Sequence, residues 1–347
     1  MKKHIIALTA MALLFALITS LPASADAKHT LTVGNTGNSI KPAMVVLAQQ
    51  MGYYKDEGLE VKIEQISNLN EGITAVQSGK LDILPLGVIP SAVFISKGAD
   101  LVIFGGTIAE GSQAVTLPQN KDKYKDLKAF KGKKVAFVRP ETGHMIMKYL
   151  IGKAGVDPRK DAEFISLDGF QSVIEAVSKG AADIGFVNSG FGIIAEKKGL
   201  AIAFNVGSLA PNAVCCRQTT SRKALNEKRD AFVKFQTANL RAYKLMKDDR
   251  KTTIKALMDY SGQPESYVDY CIYGGVMIQT MDPAKNRIKD FYEIMKYNGD
   301  VDPNTKYDIA KAVDTSVYRD ALNEMMKRHP NDKTFKTLDK EFAKNNK

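Results

Sequence analysis

An internal repeat constrains this sequence most. The nine residues 75–83 return 101 positions later as residues 176–184, and five of the nine positions are identical. An extended segment precedes each copy at the same offset. The repeat occurs only twice and is too long for a solenoid unit, which argues against stacked arrays. The chain is therefore predicted to contain two similar units, about a hundred residues each, with a ligand-binding cleft between them.

The N-terminus has the pattern of an export signal. A short basic start is followed by an apolar run over residues 5–21 and by the small residues 23–25. The run is shorter than the ~20 residues of a typical membrane-spanning helix, so a membrane anchor is the less favoured alternative. We predict a signal peptide at residues 1–25, a mature chain that starts at Asp26 or Lys28, and a periplasmic location.

The three cysteines allow several interpretations. The first is Cys215, so no cysteine follows the cleavage site to carry a lipid anchor. Cys215 and Cys216 are adjacent in an apolar segment that is typical of a strand, and either could pair with Cys271. A vicinal pair can serve catalysis or bind a metal, but cysteines also pack as small apolar residues. We favour packing and predict no metal and no cofactor.

Charge gives a weaker constraint. The formal net charge is +11 and falls to +9 without Lys2 and Lys3 of the signal peptide. The basic residues are dispersed and do not alternate with aromatic residues. This distribution argues against a nucleic-acid partner and indicates a solvated surface that mildly favours anionic ligands.

Each unit alternates strands and helices, which is typical of a parallel sheet with helices on both faces. Strands are expected at 31–33, 61–66, 81–86 and 101–104, and then at 134–138, 163–167, 183–187 and 200–204. The chain turns back near Pro211. An amphipathic helix is expected over residues 224–247, with one apolar stripe. The stripe consists of Phe232, Phe235, Asn239, Tyr243 and Met246.

This order predicts an α/β chain with two lobes. Lobe one takes residues 30–116 and, after the return, residues 213–347. Lobe two takes residues 117–212. Two chain crossings are expected, near residues 112–120 and 208–214.

Ligands of such sheets lie beyond the carboxyl ends of the strands and at helix N-termini, where free N–H groups converge. Thr142 is the expected N-cap of its helix, and its hydroxyl is an alternative ligand donor. Phe191 is expected to form an apolar wall, since the chain has no tryptophan. The predicted ligand contacts are Asn38, Ser39, Gly87, Val88, Thr107, Thr142, Gly143, His144, Asn188 and Phe191.

Four segments carry a family resemblance. The sequence Gly-Tyr-Tyr-Lys-Asp-Glu-Gly-Leu-Glu-Val at residues 52–61 resembles an element of solute-binding proteins for sulfonates, nitrate and taurine. Residues 127–136, 155–161 and 180–184 match further landmarks, and the likeness covers roughly residues 30–250. The family also includes binders of thiamine-precursor pyrimidines and related pyrimidine-synthesis proteins.

The resemblance implies a type II periplasmic binding protein that closes around a small ligand and delivers it to an ABC transporter permease in the inner membrane. The implied ligand is an aliphatic sulfonate, taurine or a nitrate-like anion, and the protein is expected to be a monomer. Many relatives carry a proline after the Asp-Ile strand of the second lobe, whereas residues 188–191 of this chain contain none.

Three alternatives remain open. The acids Glu110, Glu141 and Asp168 lie near the predicted cleft, and inward-facing acids favour an amine or a protonated pyrimidine over an anion. An enzyme on this scaffold would use His144 as a base and Cys215 or Cys216 as a nucleophile, but no catalytic spacing supports it. A sensor that presents its ligand to a membrane receptor would have the same lobes.

Overall fold

The computed structural model describes residues 29–188 and 190–347. The predicted signal peptide and both predicted start sites lie outside these residues. The strands are β1 (His29–Asn35), β2 (Leu59–Gln65), β3 (Leu101–Glu110), β4 (Ser112–Thr116), β5 (Lys134–Val138), β6 (Glu163–Leu167), β7 (Ile184–Asn188), β8 (Ala201–Asn205), β9 (Val214–Ser221) and β10 (Met277–Gln279).

Helices alternate with these strands and dominate the C-terminal third. They are α1 (Ala43–Gln50), α2 (Tyr53–Asp56), α3 (Leu69–Gln77), α4 (Val88–Ser96), α5 (Thr142–Lys153), α6 (Phe170–Ser178), α7 (Phe191–Lys197), α8 (Arg222–Glu227), α9 (Arg229–Asp248), α10 (Arg250–Ser261), α11 (Glu265–Tyr273), α12 (Lys285–Asn298), α13 (Ser316–Arg328) and α14 (Lys333–Asn345).

The repeated aspartate has the same structural role in both copies of the repeat. The Asp82 carboxylate accepts a hydrogen bond from the backbone N–H of Thr32 in β1, at 2.9 Å. The Asp183 carboxylate accepts one from the N–H of Lys134 in β5, also at 2.9 Å. In each unit the aspartate thus fixes the end of the repeated segment beside a strand, β1 in the first unit and β5 in the second. This shared bond gives the sequence repeat a physical cause.

The first unit contains two small sheets in place of the one parallel sheet that we expected. Strands β1 and β2 pair in parallel, while β3 pairs antiparallel with both β9 and β10. The segment at residues 81–86 is buried as expected, but it forms only isolated bridges, from Ile83 to β1 and from Leu84 to β9. Pro85 interrupts it because proline has no N–H for a strand ladder. Our prediction of a third regular strand there is wrong.

The sheet of the second unit has five strands in the order β6-β5-β7-β4-β8. Strand β5 pairs in parallel with β6 and β7, whereas β4 runs antiparallel to β7 and β8. We expected residues 112–116 in lobe one, but β4 lies inside this second sheet. The break falls at Gly111, whose φ of 103° ends β3 and redirects the chain. The chain passes back between β8 and β9.

The C-terminal helices contact elements of both units. The stripe on α9 is buried as predicted, and Tyr54 donates a hydrogen bond to Asn239 Oδ1 at 2.6 Å. The single helix expected over residues 224–247 is divided at Lys228 into α8 and α9. Helix α12 packs on α5, where Asn298 Nδ2 donates to the carbonyl of Met145 at 2.9 Å. The return segment is therefore not confined to the first unit, and the lobe boundaries stay a prediction.

None of the helices within residues 29–188 and 190–347 combines the length and apolar character needed to cross a bilayer.

Candidate functional site

Two cavities meet at the side chain of Lys41, and both are lined by the two halves of the chain. The aromatic cavity has a volume of about 340 Å³ and is lined by Asn38, Ser39, Ile40, Lys41, Phe170, Phe191, Ser261, Gln263, Tyr267 and Met277. The polar cavity has a volume of about 210 Å³ and is lined by Thr36, Lys41, Asn68, Leu69, Leu86, Gly87, Ile89, Pro140, Glu141, Thr142, Cys215 and Cys216.

The loop after β1 positions Lys41. Asn35 ends this strand, is fully buried, and donates from Nδ2 to the carbonyl of Ser39 at 2.9 Å and to the hydroxyl of Tyr260 at 3.0 Å. The N–H of Lys41 donates in turn to Ser39 Oγ at 3.2 Å. Pro42 then precedes α1, where its missing N–H costs nothing. Lys41 is therefore held at a defined place between β1 and α1.

An ion pair joins the two halves of the cleft. Lys41 Nζ lies 3.8 Å from Glu141 Oε1, and both side chains are more than two-thirds buried. Burial lowers the pKa of Lys41, but the nearby charges of Glu141, Cys216 and Cys215 outweigh it and raise the pKa above its usual value. Lys41 thus carries its charge at neutral pH.

Glu141 is fixed by the end of the neighbouring strand. Asn188, the last residue of β7, is buried and donates from Nδ2 to Glu141 Oε2. Helix α5 starts at Thr142, so Glu141 holds the cap position that we predicted for Thr142. A carboxylate at a helix N-terminus is stabilised by the helix dipole. This geometry directs the carboxylate of Glu141 toward Lys41.

A β-bulge brings both vicinal thiols to the polar cavity. The ladder between β3 and β9 passes from the pair Ile108 and Cys216 to the pair Ala109 and Val214, which leaves Cys215 unpaired. Successive side chains of a regular strand point to opposite faces. Here the two Sγ atoms lie 3.5 Å apart and both residues line the cavity.

The cysteines of the described residues are all free thiols. A hydrogen bond from the Cys216 thiol lowers the pKa of Cys215, and Lys41 and Thr142 lower it further. Together these effects outweigh burial and the charge of Glu141, which raise the pKa. The same hydrogen bond, together with burial, raises the pKa of Cys216. Cys271 is buried on α11, where burial raises the pKa of its thiol to about 11.

The structure brings five of the ten predicted contacts to these cavities. Asn38, Ser39 and Phe191 line the aromatic cavity, where the Phe191 ring lies 5.0 Å from that of Phe170. Gly87 and Thr142 line the polar cavity.

The other five predicted contacts lie behind the cleft, and none of them lines either cavity. Val88 begins α4 and is buried, and Thr107 is buried within β3. A Cβ added to Gly143 would lie 1.9 Å from Ser112 Oγ, so α5 packs closely on β4 there. Asn188 supports Glu141. The remaining residue, His144, lies in the core.

His144 packs against Phe137, with 4.1 Å between the ring centroids. Burial, with the charges of Lys148 and Arg139, lowers the pKa of His144 to about 3. The imidazole is therefore neutral above mildly acidic pH. It faces the core, although the sequence placed it on the same helix start as Thr142.

Of the three acids that the sequence placed near the cleft, only Glu141 lines a cavity. Asp168 is exposed, and Glu110 accepts a hydrogen bond from the N–H of Asn212 at 2.6 Å, where the chain returns to β9. Sequence reasoning also missed Lys41 as a cleft residue. Its position just before Pro42, at the start of the first helix, could have indicated that it lies in the cleft.

Comparisons with known proteins agree with this fold. The family model described as "NMT1/THI5 like" matches residues 40–252, more than half of the chain. The chain is 25% identical over 228 residues to the "Putative binding protein YtlA" of Bacillus subtilis, an alignment that covers 63% of this chain and 68% of that protein.

It is 28% identical over 142 residues to 4-amino-5-hydroxymethyl-2-methylpyrimidine phosphate synthase of Schizosaccharomyces pombe, which covers 41% of this chain and 39% of the enzyme. The chain thus spans less than half of that enzyme's length.

Among solved structures, the periplasmic aliphatic sulphonate binding protein SsuA of Escherichia coli is similar, with a TM-score of 0.65, 17% identity, and coverage of 80% of this chain and 89% of that one. The likeness in fold confirms the predicted α/β class of periplasmic binding proteins. The chain belongs to the NMT1/THI5-like family.

Proposed function

We propose that this protein is the extracytoplasmic solute-binding component of an ABC importer, which closes around a small organic ligand by hinge motion. The observation that supports it best is the pair of Lys41 and Glu141. The first residue precedes α1 and the second precedes α5, so a ligand that contacts both would hold the two lobes together. A cleft of this size suits a small molecule.

The charges of the cleft favour one ligand class. Lys41 and Glu141 are the only ionic side chains that line the two cavities within the described residues. Nitrate, or a sulfonate without an amino group, would meet a cation that already has a carboxylate partner. A ligand with N–H donors for Glu141 and an acceptor for Lys41 satisfies both groups. We therefore favour an amine or a pyrimidine of the thiamine-precursor type.

The aromatic cavity supports this choice, because the rings of Phe170, Phe191 and Tyr267 provide apolar surface for a flat ring. A distant relative, the enzyme of Schizosaccharomyces pombe, is named as the synthase of a pyrimidine phosphate. An anion such as a sulfonate is the second candidate, supported by the fold shared with the sulphonate-binding protein and by the charge of Lys41.

Binding rather than catalysis is our proposal for this site. The enzyme alternative needs His144 as a base beside the vicinal thiols. His144 packs against Phe137 and its pKa is lowered to about 3, which leaves it a poor base at neutral pH. The remaining proposed features are cleavage of the signal peptide at residues 1–25, a monomer, and delivery to an inner-membrane permease.

A thermal-shift screen tests the ligand class. Sulfonates, nitrate, amines and pyrimidines are added separately to the wild-type protein. A ligand at a hundredfold excess over its Kd stabilises the folded state by about 2.7 kcal/mol, which raises the melting temperature. We expect a pyrimidine or an amine to give the largest rise, and Glu141→Gln to reduce that rise.

Asp168→Asn is the matched control, because it removes the same charge from an exposed position outside both cavities. It should leave the rise unchanged. A rise with sulfonates alone, insensitive to Glu141→Gln, would support the anion instead.

A further inference from the structure

The polar cavity contains a chemical group that solute binding does not require. Cys215 lies in the bulge of β9, and its side chain lines the cavity together with that of Cys216. The bulge leaves Cys215 outside the strand ladder, while Cys216 stays paired with Ile108. Cys215 Sγ is also 4.0 Å from Asn188 Nδ2, the amide that donates a hydrogen bond to Glu141.

Two charged side chains line the cavity with this thiol. Lys41 approaches from the loop before α1 and Glu141 from the start of α5, while the guanidinium of Arg217 on β9 donates to backbone carbonyls. Arg217 is buried and donates to the carbonyl of Cys216 at 2.8 Å. The hydrogen bond from Cys216 favours the thiolate most, and the ammonium of Lys41 and the hydroxyl of Thr142 add to it, while burial and Glu141 oppose it. On balance the surroundings promote the nucleophilic form.

A relaxed disulfide between the two neighbours is sterically unfavourable. Consecutive Cα atoms are about 3.8 Å apart. Disulfides usually join Cα atoms about 4.4–6.8 Å apart, and shorter spans store strain. A bond formed by Cys215 with an outside sulfur carries no such constraint, and the cavity provides the space for it.

We propose that Cys215 is a thiol-exchange site within the cleft, where it takes up a small aliphatic disulfide as a mixed disulfide that fills the polar cavity. The Cys215 thiolate attacks one sulfur of the reagent, and a new S–S bond forms as the S–S bond of the reagent breaks. The leaving thiolate takes a proton from water. One disulfide is consumed and one is formed, so no further oxidant is needed.

The test uses the full-length mature protein and hydroxyethyl disulfide near neutral pH, followed by mass measurement and peptide mapping. We expect one hydroxyethylthio group on each chain, at Cys215. Cys215→Ala should lose the adduct, with its fold checked by circular dichroism. Cys271→Ala is the matched control and should react like the wild type, because the pKa of the Cys271 thiol is raised to about 11.

Two charge variants make the test independent of folding defects. Lys41→Met removes a group that favours the thiolate and should slow the reaction by about threefold for each unit of pKa, because the loss of thiolate outweighs the gain in nucleophilicity. Glu141→Gln removes a group that opposes the thiolate and should accelerate it. A structural disturbance of the cleft would change both rates in the same direction.

The proposal is overturned if the adduct forms first at Cys216 or Cys271, or if the folded chain stays unmodified while the unfolded chain reacts at all three thiols. Equal rates in the wild type and both charge variants would also contradict it. No solute is needed for these measurements, so their failure is separate from a failure of the proposed solute-binding function.

Discussion

Glu141 and His144 lie three residues apart in the sequence, but their surroundings in the fold differ. Glu141 faces the ammonium of Lys41 in the cleft, whereas His144 packs against Phe137 in the core. One short segment thus supplies both a carboxylate of the cleft and a buried neutral ring. The difference arises because Glu141 is the cap residue, with an extended backbone before α5, whereas His144 lies inside the first helical turn.

The buried imidazole predicts a specific pH dependence of stability. Its folded-state pKa of about 3 is lower than the ordinary value of 6.5. The unfolded chain therefore binds the proton more readily, so the stabilisation is complete above pH 6.5 and is lost as the pH falls toward 3. Each pH unit in this window costs about 1.4 kcal/mol of unfolding free energy from this residue.

Urea denaturation of the wild type and of His144→Leu at several pH values measures this effect. The difference in unfolding free energy between the two proteins should shift in favour of the variant as the pH falls below 6.5. A difference that stays constant with pH would show that His144 titrates normally in the folded protein.

Sequence reasoning identified some of the residues that line the two cavities. Thr142 and Phe191 were predictable because each follows a strand and begins a helix, which is where ligands of α/β sheets lie. His144 was not predictable in the same way. Whether the third residue of a helix faces the cleft or the core depends on how that helix rotates against its sheet, and local sequence does not determine this rotation.

Helix α5 shows how closely the elements around the site pack. Gly143 lies over β4, where an added Cβ would be 1.9 Å from Ser112 Oγ and 2.3 Å from Ser112 Cβ. Gly152 lies on the same helix, and an added Cβ there would meet the hydroxyl of Tyr297, the far end of a long side chain. The two sites differ in how easily the neighbour can move.

This contrast predicts unequal effects of the same substitution. Gly143→Ala should destabilise the protein by about 1–3 kcal/mol, because the short Ser112 side chain cannot move away from the new methyl group. Gly152→Ala gains the same helix propensity and should cost less, since Tyr297 can rotate. Chemical denaturation of both variants measures the difference, and equal losses would argue against close packing of α5 on β4.

The bulge in β9 is an element that the sequence could not predict. Residues 213–217 favour a strand, and strict alternation would place the two thiols on opposite faces. The partner strand β3 contains Gly105 and Gly106, and a Cβ at Gly106 would lie 2.4 Å from the carbonyl of Asp282. The register shifts between these strands depend on such tertiary contacts. The joint placement of Cys215 and Cys216 therefore appears only in the folded chain.

For the whole molecule, the repeat predicted more than the composition did. It indicated two units, and Asp82 and Asp183 explain why the matching segments recur. It did not predict that β4 joins the second sheet, where Gly111 divides the nearly continuously buried segment 101–116. The contact between Lys41 and Glu141 could not be predicted either, because it depends on how the two units are arranged in space.

The central claim is that one solute bridges the two halves of the cleft. Calorimetric titration of the wild type, Thr142→Ala and Phe191→Ala with the solute found in the thermal-shift screen tests it most directly. Thr142 lines the polar cavity and Phe191 the aromatic cavity. We predict one solute per chain, bound more weakly by about 1–3 kcal/mol in each variant, or roughly ten- to a hundredfold. Unchanged affinity in both variants would contradict binding at this cleft.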